Sequence, residues 1–128
     1  MKKKPDASSV NPYEQLHKLF HEPGRLAILS ELIKVQEGMK FRELKDACNL
    51  TDGNLNRHLK TLDEAGAIRI RKRFVDAKPQ TTVQLTAKGM EGFLQYLKVL
   101  QDVLIDAASS LGVKPSKQGV INWKTIQE

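Results

Sequence analysis

The chain has 128 residues, 40% of them hydrophobic, with 21 Lys and Arg against 15 Asp and Glu and a single cysteine. That length makes one domain with one core. Lone Cys48 excludes an intramolecular disulfide and a cysteine-based metal site, which suits a reducing cytoplasm. No run approaches the roughly 18 apolar residues of a membrane span. Met1-Lys2-Lys3-Lys4 leads into Pro5-Asp6-Ala7-Ser8-Ser9 rather than an apolar signal core, so a soluble protein without a membrane partner is expected.

Residues 1–11 are polar and lack an apolar period, and they read as a mobile basic leader. From Pro12, apolar Tyr13, Leu16, Leu19 and Phe20 recur at helical spacing, and His21-Glu22-Pro23-Gly24 breaks the run after a short first helix. Leu26, Ile28, Leu29, Leu32, Ile33 and Val35 predict a second helix that ends near Glu37-Gly38, where glycine can take the left-handed position after a helix. Met39-Lys40-Phe41 reads as a brief extended link. Arg42–Cys48 is a two-turn helix with Leu44, Ala47 and Cys48 inward, and Asn49-Leu50 turns the chain.

Thr51 can cap the next helix through its hydroxyl, and Asp52 adds a favourable charge to its first turn. In the helix from Asp52 to Ala65, Leu55, Leu59 and Leu62 define one buried stripe, and Gly66 closes it. The opposite side carries Gly53, Asn54, Arg57, Lys60 and Thr61, with Asn56 at its margin and no acid. His58 lies beside the leucines and reads as a packing or hydrogen-bonding histidine.

After Gly66 the period changes to two. Ile68 and Ile70 alternate with Arg69, Arg71 and Arg73, Asp76-Ala77-Lys78-Pro79-Gln80 is turn chemistry, and Thr81–Leu85 is a β-branched second strand. Residues 68–85 thus predict a hairpin with one face on the helices and a basic other face. Arg69, Arg71 and Arg73 share that strand face, with Lys72 and Lys78 at or near the tip.

Thr86 caps a last helix over residues 87–111, about 36 Å long at about 1.5 Å per residue and too long for this core alone. Met90, Phe93, Leu97, Leu100, Leu104, Ala107 and Leu111 follow alternating spacings of 3 and 4, the seam of a coiled coil, and Tyr96, Val99 and Val103 form a second stripe. One stripe packs on the chain's own helices and the other meets an identical chain in a two-fold dimer; an intramolecular hairpin with the leading helix is the alternative. Residues 12–111 therefore form the domain, and 112–128 a tail in which Val120-Ile121-Asn122-Trp123 tucks a lone tryptophan against the body.

Charge locates a function. Residues 53–88 hold eight bases and three acids, so five of the six excess positive charges lie there. That is the electrostatic footprint of a nucleic-acid-binding surface. The sequence carries no Gly-rich phosphate loop, nucleophile elbow or His-Glu-x-x-His, and no enzyme is expected. Glu14, His17 and His21 share a helix side in a pattern that is ordinarily a solvated face, so neither a metal nor a cofactor is expected. Binding of RNA or single strands lacks the aromatic residues on which bases stack, since Phe74 alone lies in the hairpin.

The order of elements is that of a winged helix-turn-helix, a mainly α fold with a small β-hairpin and a long C-terminal helix. His21-Glu22-Pro23-Gly24-Arg25-Leu26-Ala27-Ile28-Leu29, Phe41-Arg42-Glu43-Leu44, Leu50–Gly66 and Leu85-Thr86-Ala87-Lys88-Gly89 together resemble the small winged-helix transcriptional regulators of bacteria and archaea. The resemblance lies near the arsenical-repressor and multiple-antibiotic-resistance-regulator families and covers about Tyr13 to Leu104. It implies a homodimeric repressor or activator with helix 51–65 in the major groove and hairpin 68–85 on the phosphates. Cysteine pairs typical of metal-sensing relatives are missing, and the effector, if a small molecule, is unidentified.

Within that framework Asn54, Asn56 and Arg57 are the candidate base readers, because Arg pairs in bidentate fashion with guanine and Asn with adenine. Thr51, Lys60, Gly53 and Thr61 complete the helix surface, with Thr51 and Lys60 on phosphates. Arg69, Arg71, Lys72, Arg73 and Lys78 are phosphate or minor-groove contacts of the hairpin. A two-fold dimer implies an inverted-repeat operator on double-stranded DNA, in a cytoplasmic protein that joins the nucleoid when bound. A winged-helix protein–protein adaptor and a non-specific architectural DNA binder are the competing readings.

Overall fold

The computed structural model describes residues 18–124. The leader, the helix expected from Pro12 as far as His17, and the last four residues lie outside them. In order, the elements are α1 (Pro23–Leu32), β1 (Met39–Lys40), α2 (Phe41–Cys48), α3 (Asp52–Glu64), β2 (Ile68–Val75), β3 (Lys78–Leu85) and α4 (Ala87–Ser110). Contacts divide the described residues into a unit that ends at Leu94 and a second that begins at Gln95, a division inside α4.

In the first unit α1 begins where the sequence breaks. Pro23 fills the first helical position, and the Glu22 carboxylate accepts from Gly24 N at 2.9 Å and Arg25 N at 3.0 Å. The helix stops at Leu32, short of the expected Glu37-Gly38. Turns closed by Val35 N to Leu32 O and Gly38 N to Val35 O follow instead. At Gly38, φ is +108° and a Cβ would lie 3.0 Å from both Thr82 Cγ2 and Val83 O. The chain bends there so that Met39 can enter the sheet.

Met39-Lys40 is thus a strand and not a link: Met39 pairs with Val83 and Lys40 with Thr82. The sheet is antiparallel with order β1-β3-β2, one strand more than the expected hairpin. β2 pairs with β3 from Ile68–Leu85 out to Val75–Lys78, and Asp76 and Ala77, with φ of 51° and 62°, close it as a two-residue turn. Two positive φ values give the twist that a tight hairpin needs.

Asn49, left-handed at φ 54°, ends α2. Thr51 then caps α3 by accepting from Asn54 N at 3.2 Å. At its far end Gly66 N donates to Asp63 O and Ala67 N to Leu62 O, the pair of hydrogen bonds that a left-handed glycine allows. The core joins Phe20, Ile28, Leu29, Leu32, Leu44, Leu55, Leu59, Leu62, Ile68, Val83, Leu85 and Phe93. Each of the α3 leucines contributes about 1.5–3 kcal/mol by its burial.

The start of α4 is pinned to the end of α3. Thr86 Oγ1 donates to Gly66 O at 2.7 Å and accepts from Gly89 N at 2.9 Å, while Thr86 N donates to Ala67 O. In the second unit α4 ends at Ser110, Gly112 turns at φ +79°, and Val113 is buried with its N–H on Ala108 O. Trp123 stays 41% exposed, more open than the tucked position expected.

Candidate nucleic-acid interface

α3 buries the leucine stripe that its sequence pattern describes, but the opposite face is not free of acid, because exposed Glu64 lies one turn beyond Lys60 and Thr61. Leu55, His58, Leu59 and Leu62 are buried, whereas Thr51, Gly53, Asn54, Asn56, Arg57, Lys60 and Thr61 are all exposed. Arg57 donates to Asn54 Oδ1 at 3.3 Å, so two of the candidate readers hold each other. The Thr61 hydroxyl donates to Arg57 O, leaving its oxygen lone pairs for an outside donor. A Cβ at Gly53 would meet nothing within 4 Å. Ahead of the helix, Lys45 pairs with Asp52 at 3.0 Å and ties α2 to the first turn of α3.

The hairpin runs out past the core. Residues 71–79 are exposed without interruption, and they include Arg71, Lys72, Arg73 and Lys78. Strand alternation separates these cations. Arg69, Arg71 and Arg73 lie on the outer face opposite Gln84, Thr82 and Gln80. Because Thr82 also pairs with Lys40, the row Arg71–Thr82–Lys40 adds a cation to this face. Sequence reasoning missed Lys40, since nothing local marks a two-residue strand.

Lys72 lies on the other face, with Ile68 and Ile70. There an open cleft of about 450 Å³ separates hairpin from helix, lined by Phe41, Asn56, Leu59, Lys60, Asp63, Ile70, Lys72 and Thr81. The structure therefore brings Lys60 and Lys72 to one cleft, with Asn56 beside them, and keeps the three arginines apart from it.

His58 is the polar residue of the core, 6% exposed. Its Nδ1 lies 3.3 Å from an Arg25 guanidinium nitrogen and 3.4 Å from Glu22 Oε2. Burial, opposed by Glu22 and reinforced by Arg25 and Arg57, holds its pKa below the ordinary imidazole value. Neutral Nδ1 then accepts from Arg25, which also donates to Leu19 O at 2.7 Å and Lys18 O at 3.3 Å. Burial works against the Glu22 charge, but the two backbone N–H donors, with His58 and Arg25 nearby, bring its carboxyl below the usual range. Gly24 makes room for the ring, because a Cβ there would stand 2.5 Å from His58 Nε2. One cluster thus joins the start of α1 to the middle of α3.

The α4 seam is divided. Phe93 is 1% exposed and meets Phe20 edge to face, with centroids 5.8 Å apart, so this member packs inside its own domain. Met90, Leu97 and Leu100 are half-buried, while Leu104, Ala107 and Leu111 are exposed. In the second stripe Tyr96 and Val99 are buried and Val103 half-buried. Half-buried Cys48 has its thiol pushed up by burial and by Glu31. Among the described residues no three of His, Cys, Asp and Glu group to hold a metal ion, and no helix is long and apolar enough to cross a membrane.

Two helices joined by a tight turn, with a basic hairpin after the second, define a winged helix-turn-helix. The sequence model of the winged helix DNA-binding domain family matches residues 25–104. An uncharacterized protein of Methanocaldococcus jannaschii is 38% identical over 85 residues, 66% of this chain and 91% of that one. A transcriptional regulator homologue from Pyrococcus horikoshii has a similar structure, with TM-score 0.69 and 28% identity over 74% of this chain and 95% of the other. A MarR-family transcriptional regulator from Silicibacter pomeroyi shares the fold at TM-score 0.56 and 19% identity, over 76% of this chain and 66% of that one. The chain belongs to the winged helix DNA-binding domain family. Its fold is MarR-like.

Proposed function

We propose that the chain acts as a homodimer on double-stranded DNA and reads an inverted-repeat operator. The observation that carries this reading is the exposed face of α3 with Arg57 and Lys60, beside a hairpin that leaves residues 71–79, with Arg71, Lys72, Arg73 and Lys78, wholly exposed. In a major groove, α3 presents Asn54, Asn56 and Arg57 to base edges, each good bidentate contact worth about 1–3 kcal/mol of discrimination. Thr51 and Gly53 bring the helix N-terminus to a phosphate, where unpaired N–H groups favour an anion. Lys60 and Lys72 draw a strand toward their shared cleft, the Thr61 hydroxyl turns from Arg57 O to donate to a phosphate, and Arg69, Arg71, Arg73 and Lys78 serve the flanking phosphates.

The same reading gives the free end of the α4 seam to a second copy, through Leu104, Ala107 and Leu111, with Leu97, Leu100 and Met90 continuing it. Phe93 supports that seam from inside its own domain. Two half-sites then fall about 34 Å apart or a multiple of it, in an operator with matching two-fold symmetry. The protein does no chemistry on its DNA and works in the cytoplasm, on the nucleoid. Titration of duplex DNA by anisotropy across a salt series tests this: affinity falls by about 0.9 log units per log unit of salt for every phosphate contacted. Affinity that does not change with salt overturns it.

A further inference from the structure

Phe74 is unexplained by the fold. At 76% exposure it is more open than any other large hydrophobic residue among those described. It stands next to the turn, where polar side chains are the rule. The face it belongs to is informative. Along β2, Ile68, Ile70, Lys72 and Phe74 point the same way, paired across to Leu85, Val83, Thr81 and Pro79. The first two pairs enter the core and Lys72 with Thr81 lines the cleft beside α3. The Phe74–Pro79 pair then carries an apolar face beyond the protein's own surface, on the side turned toward α3.

The surroundings select the occupant. Arg71, Lys72, Arg73 and Lys78 flank the pair, against one acid, Asp76. Such a shell suits a polyanion with an apolar interior, which describes stacked bases between phosphates. The two-residue turn at Asp76-Ala77 is short, so the ring is delivered on a stiff ribbon rather than a loose loop.

We propose that Phe74, backed by Pro79, is a wedge that enters the minor groove, partly unstacks one base step and bends the duplex. Apolar side chains inserted between base steps kink DNA toward the major groove, and flexible pyrimidine–purine steps yield at least cost. Phe74 thereby adds a preference for a deformable step outside the bases that α3 reaches. This rests on the DNA-binding reading above.

The test uses the full chain and a pool of mixed-sequence duplexes carrying a donor and an acceptor dye at opposite ends. Anisotropy reports binding and energy transfer reports bending at saturation. Wild type and Phe74→Leu shorten the end-to-end distance. Phe74→Ala melts at the wild-type temperature, binds about five- to tenfold more weakly and leaves the duplex straight. Arg73→Ala weakens binding and keeps the bend. Bending by Phe74→Ala equal to wild type, or no bend by wild type at saturation, overturns the wedge while leaving DNA binding intact. Absence of any anisotropy change with wild type overturns the DNA-binding reading itself, and the wedge with it. If Phe74→Ala instead keeps the bend and loses binding to phosphatidylserine vesicles, Phe74 belongs to a membrane contact and the wedge fails.

Discussion

Gly53→Ala is expected to raise stability and weaken DNA binding in the same molecule. Gly53 has an ordinary negative φ within the first turn of α3, and a Cβ placed on it meets nothing within 4 Å. The fold gives no reason for glycine there. Alanine reduces the conformational freedom of the unfolded chain, a gain of about 0.5–1 kcal/mol. For a domain of this size that raises the melting temperature by roughly 2–5 °C. If the N-terminus of α3 closes on a phosphate, the new methyl group stands in the way of a charged hydrogen bond worth about 1.5–3 kcal/mol. Binding then weakens by about tenfold to a hundredfold. Differential scanning calorimetry gives the first number and anisotropy with a duplex at fixed salt the second. A more stable variant that binds as wild type does would refute the close approach of DNA to this turn, and a less stable one would refute the packing argument.

Arg57→Ala is expected to weaken binding by about 1–3 kcal/mol and to relax preference at one base, whereas Arg73→Ala weakens all sequences alike and lowers the salt slope by about one; sequence logos from selected pools distinguish the two. Gly89→Ala is expected to destabilise by about 1–3 kcal/mol, because its Cβ would overlap the Ala67 carbonyl oxygen where Thr86 locks α4 to α3; urea unfolding measures it. Stability should fall as pH drops below the ordinary imidazole value of about 6.5, since the unfolded chain binds the His58 proton more readily than the folded one. That contribution is complete above this pH and is lost on the way down toward the folded value. Thermal melts of wild type and His58→Gln between neutral and mildly acid pH test it, with a flatter profile expected for the variant.

α3 was legible because its signals are local. Leu55, Leu59 and Leu62 set one face, Thr51 begins the helix and Gly66 ends it, and each signal acts within a turn or two of its own position. The hairpin was legible from its alternation for the same reason. β1 was not, because two residues become a strand only through Val83 and Thr82, more than forty residues away. The end of α1 went with it, since the chain must leave the helix early to reach that partner.

The His58 cluster was equally hidden. Arg25 and His58 are 33 residues apart, and no periodicity announces a guanidinium beside an imidazole. In α4 the heptad spacing gives the direction in which Phe93 points but not whose surface it meets. Here its neighbour is Phe20 of the same chain. Alternation likewise placed the arginines of β2 on one face, yet only the register with β3 and the cleft beside α3 put Lys72 and Phe74 on the side of the helix that carries Lys60.

Selection from a random pool of duplex DNA by the purified full chain, at two salt concentrations and with its mass in solution recorded alongside, tests the central claim most directly. The account predicts enrichment of an inverted repeat, bound by a species of twice the chain mass, with affinity falling steeply in salt. A pool that stays random, bound weakly and equally by a monomer, would contradict it and leave an architectural DNA binder in its place.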